Sequence, residues 1–234
     1  MTKFILNILM FAFFIQATFA GTFPEIPDGC LDEDIYCSEA KVVKKIIDGE
    51  SKKVIRIKIF VLGTADDYDS EQDILDLFFD FDSWGDYAEM GDSRTIKFKK
   101  SLNLGPITWN EHETFRHYAN YKIKAPFPIN WMNVRAMGYY WNIEPYEGAV
   151  ASCMFENQTS GVFEIPGEPT LHGGEGFKYT DGEFHIKVEG EEDEKEYYMY
   201  FTADVIPAID FLPSIAAPYV HAGFLAILKG MFDL

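Results

Sequence analysis

Three ionisable side chains crowd one stretch of the chain. Glu111, Glu113 and His117 all fall in ITWNEHETFRHYANYKIK, residues 107–124. A carboxylate beside an imidazole in an apolar pocket is a candidate acid/base pair, because burial disfavours the charged form of each, raising the carboxyl and lowering the imidazole. Read as one long strand with a bulge, the stretch puts Ile107, Trp109, Glu111, Glu113, Phe115, His117, Ala119, Tyr121 and Ile123 on one face. If that face looks inward, the three groups share an apolar chamber. They then anchor a ligand headgroup, or Glu113 or His117 acts as general base. If the bulge switches the face, they meet water. Glu113 and His117 cannot share one metal ion, since four residues of flat strand separate them by about 13 Å. His112, His172, His185 and His221 have no ligand spacing either. No metal and no cofactor is expected.

Arg135 alternates with Trp131, Met137, Tyr139 and Trp141 in WMNVRAMGYYWNI. A guanidinium on an aromatic face either fixes a carboxylate headgroup or stacks on the rings and pairs with a neighbouring acid. Trp84, Tyr87, Trp109, Phe115, Tyr139, Trp141, Tyr219 and Phe224 complete the candidate lining of a pocket, against the reading that aromatics in strands are core. Three motif matches fail. DFDSWGDYAEMG puts Trp84 and Gly91 where a calcium loop needs an oxygen ligand and a glutamate. HGGEG (172–176) opens no capped helix and lacks the lysine of a phosphate loop. No Gly-x-Ser-x-Gly elbow occurs.

The elements that must position these residues are legible in the periodicity. KKVIRIKIFVL (52–62) alternates, so Ile55, Ile57, Ile59 and Val61 share one face of a half-buried strand. A helix follows, capped by Asp69 or Ser70, with Ile74, Leu75, Leu77 and Phe78 on its buried face. A second short helix covers 83–89. From Arg94 to about Ile206 the period is two, which predicts a meander of about six antiparallel strands. The tail returns to helical spacing, with Val220, Phe224, Ile227 and Met231 on one face. It is read as a helix buried by its own domain, with a membrane anchor as the alternative. Before the first strand, Ser38–Ile47 is expected to be a short helix ended by Asp48-Gly49.

Composition limits the partners. The chain has 234 residues, with 20 Lys+Arg against 38 Asp+Glu, a formal charge of -18. Such a chain repels phosphate backbones, which argues against nucleic acid. At 47% apolar residues it is not a disordered chain. Residues 1–20 combine Lys3, an apolar run and small residues Thr18 and Ala20, the pattern of a secretory leader cut before Gly21. Export to a periplasm or to the exterior makes a disulfide between Cys30 and Cys37 possible, against free or metal-bound thiols. Cys153, in AVASCMFE, is expected to be a buried inert thiol. The domain plan is therefore a leader over 1–20, a cysteine-bearing extension over 21–50 and one domain over 51–234.

The order of strand, two short helices, antiparallel meander and apolar C-terminal helix resembles the helix-grip fold of the START-domain and polyketide-cyclase superfamily. The most telling local match is SEQDILDLFFDFDSWGDYAEM, where Asp80, Phe81 and Trp84 stand at an Asp-aromatic-x-x-Trp corner. The resemblance implies an α+β domain of about seven strands wrapped around the last helix, with a cavity between them. It implies a lipid or other hydrophobic or amphipathic small molecule as partner, with membrane contact at most transient. A cyclase- or hydrolase-like enzyme using Glu113 and His117, and a ligand-free interaction module, are the alternatives. Oligomeric state is not readable from the chain.

Overall fold

In a computed structural model, residues 21–31, 34–109, 112–157, 162–163, 165, 171–172, 176–208 and 212–234 are described. Residues 1–20, read from the sequence as a leader, lie outside them. Among the described residues, ten strands and three α-helices follow one another as β1 (Tyr36–Ile47), β2 (Glu50–Thr64), α1 (Glu71–Phe79), α2 (Trp84–Asp92), β3 (Ile96–Trp109), β4 (His112–Lys124), β5 (Trp131–Asn142), β6 (Ala151–Asn157), β7 (Val162–Phe163), β8 (Leu171–His172), β9 (Phe177–Glu189), β10 (Glu196–Pro207) and α3 (Pro213–Met231). Eight strands form one antiparallel sheet in the order β1-β2-β10-β9-β6-β5-β4-β3, and β7 pairs with β8 alone. The sheet and α3 make the expected helix grip, with one strand more than the seven read from periodicity.

The extra strand is β1, which replaces the short helix expected over 38–47. Val42, Val43, Ile46 and Ile47 satisfy a helical stripe, but branching at Cβ favours extended backbone. The deciding feature is Asp48-Gly49. Both residues have positive φ, 53° and 78°, the geometry of a two-residue hairpin turn rather than of a helix end. Tyr36 to Ile47 then pair without a break against Val61 to Glu50. Residues 36–47, assigned to the extension, are the edge of the domain's own sheet.

The long strand expected over 107–124 is a hairpin. Ile107 pairs with Thr114 and Trp109 with His112, so the chain reverses between β3 and β4. Paired residues share a face, and the reversal therefore puts Ile107 on the side of Thr114 and Tyr118, opposite Phe115, His117, Ala119 and Tyr121. Ile107 packs in a second, outer cluster with Tyr118, Met137, Tyr139 and Ile165.

The main core lies between the concave face of the sheet and the three helices. Ile55, Ile57, Ile59 and Val61 enter it together, as do Phe184 and Ile186 of β9 and Ile74 and Phe78 of α1. Ser70 caps α1, and its backbone N–H donates to Asp73 Oδ2 at 2.8 Å. No described helix is long and apolar enough to cross a membrane. Ala216, Ala217, Val220, Ala226, Ile227, Leu228 and Met231 of α3 are all buried in this core, as the reading of a helix covered by its own domain requires.

Residues 21–31 run across the outer face. Phe23 N–H donates to Glu147 O at 2.9 Å, and Phe23 packs on Phe60 and Tyr200. A disulfide joins Cys30 to Cys37 and ties this segment to the start of β1. Closing a seven-residue separation stabilises by about 2.5 kcal/mol in the chain-entropy model. Dithiothreitol is therefore expected to lower the thermal midpoint by about 5–10 °C, and a Cys30→Ser/Cys37→Ser double variant should match the reduced parent. Equal melting curves with and without reductant would show that the bridge carries no stability.

Candidate functional site

The Asp80–Trp84 corner builds the floor of the site. A 3₁₀ turn over Phe81–Ser83 joins α1 to α2, and Trp84 Nε1 donates to Phe78 O at 3.1 Å, which locks the indole under the turn. Tyr87 closes the corner by donating its hydroxyl to Asp80 Oδ2 at 3.1 Å. Phe81 and Trp84 then hold His117 of β4 between them. The Phe81 and His117 rings are parallel with centroids 4.7 Å apart, and Trp84 meets His117 edge-on at 4.8 Å.

His117 is buried, at 3% exposure. Its Nε2 lies 2.8 Å from Ser101 Oγ, and the Ser101 hydroxyl donates onward to Phe81 O. Because that hydroxyl proton is committed to a carbonyl, Nε2 must carry the imidazole proton, which leaves Nδ1 as an acceptor. Burial drives the His117 pKa down to about 3, so the ring is neutral at physiological pH. Burial likewise pushes the Tyr121 and Tyr140 phenols above their ordinary range, so both keep their protons.

A void of about 40 Å³ lies under α3 at this point. Trp84, Phe98, His117, Tyr121, Tyr140 and Phe224 give it an aromatic wall. Ala119, Ala136 and Gly138 leave the room, and Asn157 and Thr180 add polar edges. The chamber implied by the family resemblance is thus nearly filled. The filling is aromatic stacking across the grip: Phe78 lies parallel to Phe184 at 4.3 Å, Tyr140 to Phe155 at 5.5 Å and Phe155 to Phe201 at 5.4 Å. A cavity of about 150 Å³ is needed to take a benzene ring.

Of the ligand candidates named from sequence, Trp84, His117 and Phe224 line the void. Phe115 lies on the inward face but packs against Phe79, at 5.0 Å. Arg135, Tyr139 and Trp141 alternate with Val134, Ala136 and Tyr140, and it is the latter set that faces inward, so the first three belong to the outer face. Tyr219 is half-buried on α3 without reaching the void. Trp109 closes the β3 ladder opposite His112, and Glu111 lies outside the described residues. Glu113 is exposed near the open end of β4, four residues from the buried His117, so the two do not form an acid/base pair. Tyr140, Phe155, Phe177 and Thr180 escaped the sequence reading. The signal for Tyr140 was present, since Val134, Ala136 and Tyr140 are the apolar-rich half of the β5 alternation once Arg135 and Asn133 are counted against the other half.

Two polar clusters lie on the outer face. Ser152 Oγ is 2.8 Å from His185 Nδ1, and His185 Nε2 is 3.1 Å from Glu183 Oε2. The order Ser-His-Glu has the membership of a hydrolase triad. However, His185 is fully buried, Ser152 is 4% exposed, and Ser152 Oγ already accepts the Tyr146 amide at 3.1 Å. Its place is structural, tying β6 to β9. Asp204 is held by a fork of two bonds from Arg56, both 2.8 Å, and by Lys45 at 3.0 Å. Burial pushes the Asp204 carboxyl up, but the hydrogen bonds from Arg56 and Lys45 outweigh it and hold the group below the usual carboxylate range. Cys153 is free and buried, and burial pushes its thiol up, away from reactivity.

No protein-family model matches the chain, and no curated protein does. Solved structures similar to it include a START superfamily protein from Mycobacterium smegmatis, at 10% identity over 76% of this chain and 94% of that one, with a TM-score of 0.43. The human StarD13 lipid transfer and protein localization domain is 13% identical over 86% of this chain and 87% of its own, with a TM-score of 0.44. The Zhui aromatase/cyclase from Streptomyces is 10% identical over 76% and 91%, with a TM-score of 0.39. By its own topology, an open antiparallel sheet of eight strands closed on a C-terminal helix, the chain has the helix-grip fold of the START and polyketide-cyclase superfamily.

Proposed function

We propose that the chain is an exported binding protein for a small hydrophobic or amphipathic molecule, taken up between the sheet and α3. The observation that carries this reading is the aromatic-walled void at His117, where apolar lining meets a few polar groups at its edge. Apolar burial would supply affinity at about 25 cal/mol per Å². The acceptor Nδ1 of His117 and the protonated phenols of Tyr121 and Tyr140 would orient a hydroxyl or carbonyl. The void described is a closed state, far below the roughly 300–1,000 Å³ of a ligand site. Uptake therefore requires the roof to lift. Phe224 and Ile227 of α3 are that roof, and α3 is locked to α2 by backbone contact, so the two helices would move as one lid. The leader-like N-terminus and the Cys30–Cys37 bridge support an oxidising destination.

Native mass spectrometry of the full chain tests this directly. The expected spectrum contains an apolar adduct that organic solvent removes, and the emptied protein enhances the fluorescence of a dansyl fatty acid. Ala119→Val, whose two added methyl groups occupy the void, should weaken both signals while leaving the circular dichroism spectrum unchanged. A bare mass together with no probe enhancement would overturn the reading.

A further inference from the structure

The two edges of the eight-stranded sheet are finished differently. At one edge β3 breaks register between Phe98 and Lys100 and again between Asn103 and Pro106, and its Asn103 N–H donates to Asp82 Oδ1 at 2.8 Å. Bulges, a proline and a covered backbone are devices that keep an edge strand from pairing with another chain. At the other edge β1 has none of them. Tyr36–Ile47 pair with β2 without a register shift. Leu62 N–H donates to Ile35 O at 2.8 Å, which sets the phase of this ladder. Odd-numbered residues of β1 bond to β2, and the N–H and C=O groups of Ser38, Ala40, Val42, Lys44 and Ile46 point away from the sheet. Among the described residues no hydrogen bond takes these groups up.

The side chains of β1 do not guard the edge either. Val42 is 38% exposed and Ile46 68%, on the same face of the strand. Lysines commonly protect an edge. Here Lys45 reaches back over its own sheet to Asp181 at 2.6 Å and Asp204 at 3.0 Å, and Lys41 pairs with Glu39. Pairing through β1, the outermost strand, would leave the void and the contacts of α3 with the inner strands as they are.

We propose that β1 is a self-association edge, on which a second copy of the chain pairs antiparallel about a two-fold axis at Val42 and joins the two sheets into one. In that register Val42 faces Val42 of the second copy, Ala40 faces Lys44 and Ser38 faces Ile46. The outward backbone groups then bond reciprocally. The small side chain of Ala40 leaves room for the Lys44 stem. On the opposite face Glu39 stands directly across from Lys45 of the second copy, twice by symmetry, and such opposite charges favour the pairing. Moving the axis by one residue sets Lys41 against Lys41 in one direction and against Lys45 in the other, which disfavours it. With a formal charge of -18 on each copy, association needs a seam whose own charges match. The two-fold arrangement uses the same edge of both copies and closes on itself.

Sedimentation velocity of the full chain tests it. We expect a concentration-dependent species of twice the chain's 26.8 kDa, and nothing larger. Val42→Pro removes a central donor that makes no bond to β2. It should weaken the dimer about 25-fold, through two reciprocal hydrogen bonds at about fivefold each. Val42→Cys tests the register without disturbing the strand. Residues opposed across the axis lie about 5.5 Å apart between Cα atoms, within disulfide reach, so mild oxidation should cross-link this variant. Lys44→Cys places the two thiols four residues apart along the seam, about 13 Å, and should not cross-link. The native bridge and the buried Cys153 are common to all these variants. The proposal is overturned if the parent sediments as a monomer throughout the micromolar range, or if Val42→Pro associates as the parent does. It is overturned equally if Lys44→Cys cross-links as readily as Val42→Cys, or if assembly runs on past the dimer.

Discussion

Gly91→Ala is expected to be among the most damaging single-methyl changes in the described residues, lowering the thermal midpoint by about 6–12 °C. Helices α2 and α3 cross with their backbones in contact. A Cβ on Gly91 would fall 1.9 Å from Ala226 O, and a Cβ on Gly230 would fall 1.7 Å from Tyr87 O. Neither obstacle is a side chain that can swing aside. The helices must separate, and Ala226, Ile227 and Met231 lose their packing as they do. Overpacking of this kind costs about 3 kcal/mol or more, and a domain of this size loses about 2–4 °C per kcal/mol. Gly230→Ala should behave in the same way. Glu89→Ala, an exposed change on α2, should leave the midpoint within about 1 °C. A Gly91→Ala protein that melts with the Glu89→Ala control would show that the crossing is looser than described. The same variant should also loosen the lid over the void, so its dansyl fatty-acid signal is worth measuring below the melting range.

The second large effect is acid lability from His117. In the unfolded chain its imidazole takes a proton near the ordinary value of 6.5, whereas burial holds the folded group at about 3. Between those values the unfolded state binds the extra proton. Stability therefore rises with pH across this window and is lost as pH falls from 6.5 toward 3. At pH 4.5 the loss amounts to about 2–3 kcal/mol, or roughly 5–10 °C. Burial also lowers the pKa of His221 on α3, which acts in the same direction. The salt-bridged Asp204 works at lower pH. Its depressed pKa stabilises the fold above 3.8 and that contribution is lost only as pH falls through the folded value. Asp204 therefore adds little between pH 7 and pH 4.5, whereas Glu156, whose carboxyl burial pushes up, works against the imidazoles there, so the comparison is made against a variant of His117 itself. His117→Gln keeps a donor for Ser101 Oγ and cannot titrate, so its midpoint should fall less than half as far as the parent's over that interval. If the two proteins fall equally, His117 is protonated or exposed in the folded state, and its assigned place between Phe81 and Trp84 is wrong.

How far these features were legible in the chain differs from element to element. The alternation of Ile55, Ile57, Ile59 and Val61 placed a half-buried strand, and all four enter the core. The Asp80–Trp84 corner located the pair of rings that hold His117. Over Ser38–Ile47 the apolar pattern suits a helix and a strand equally. The turn chemistry of Asp48-Gly49 and an available partner, β2, settled it. At the β3–β4 hairpin the reading failed for a related reason. A period of two says which residues share a face only within one strand, and a reversal restarts the count. Ile107 left the inward set for that reason, while Phe115, His117, Ala119 and Tyr121 kept it.

Local periodicity and turn residues are short-range properties, which is why they were sufficient for β2, α1, α2 and most of the later strands, for the burial of α3 and for the helix-grip class, but not for β1 or the β3–β4 reversal. The protonation of His117, the separation of Glu113 from it and the backbone contact at Gly91 and Gly230 depend on residues far apart in the chain. So does the size of the void. Composition revealed many aromatics but not whether they would line a chamber or close it. Only their mutual stacking across the sheet, Phe78 on Phe184 and Tyr140 on Phe155, set the free space at about 40 Å³, because packing density is a property of the assembled interior and has no signature in any single segment.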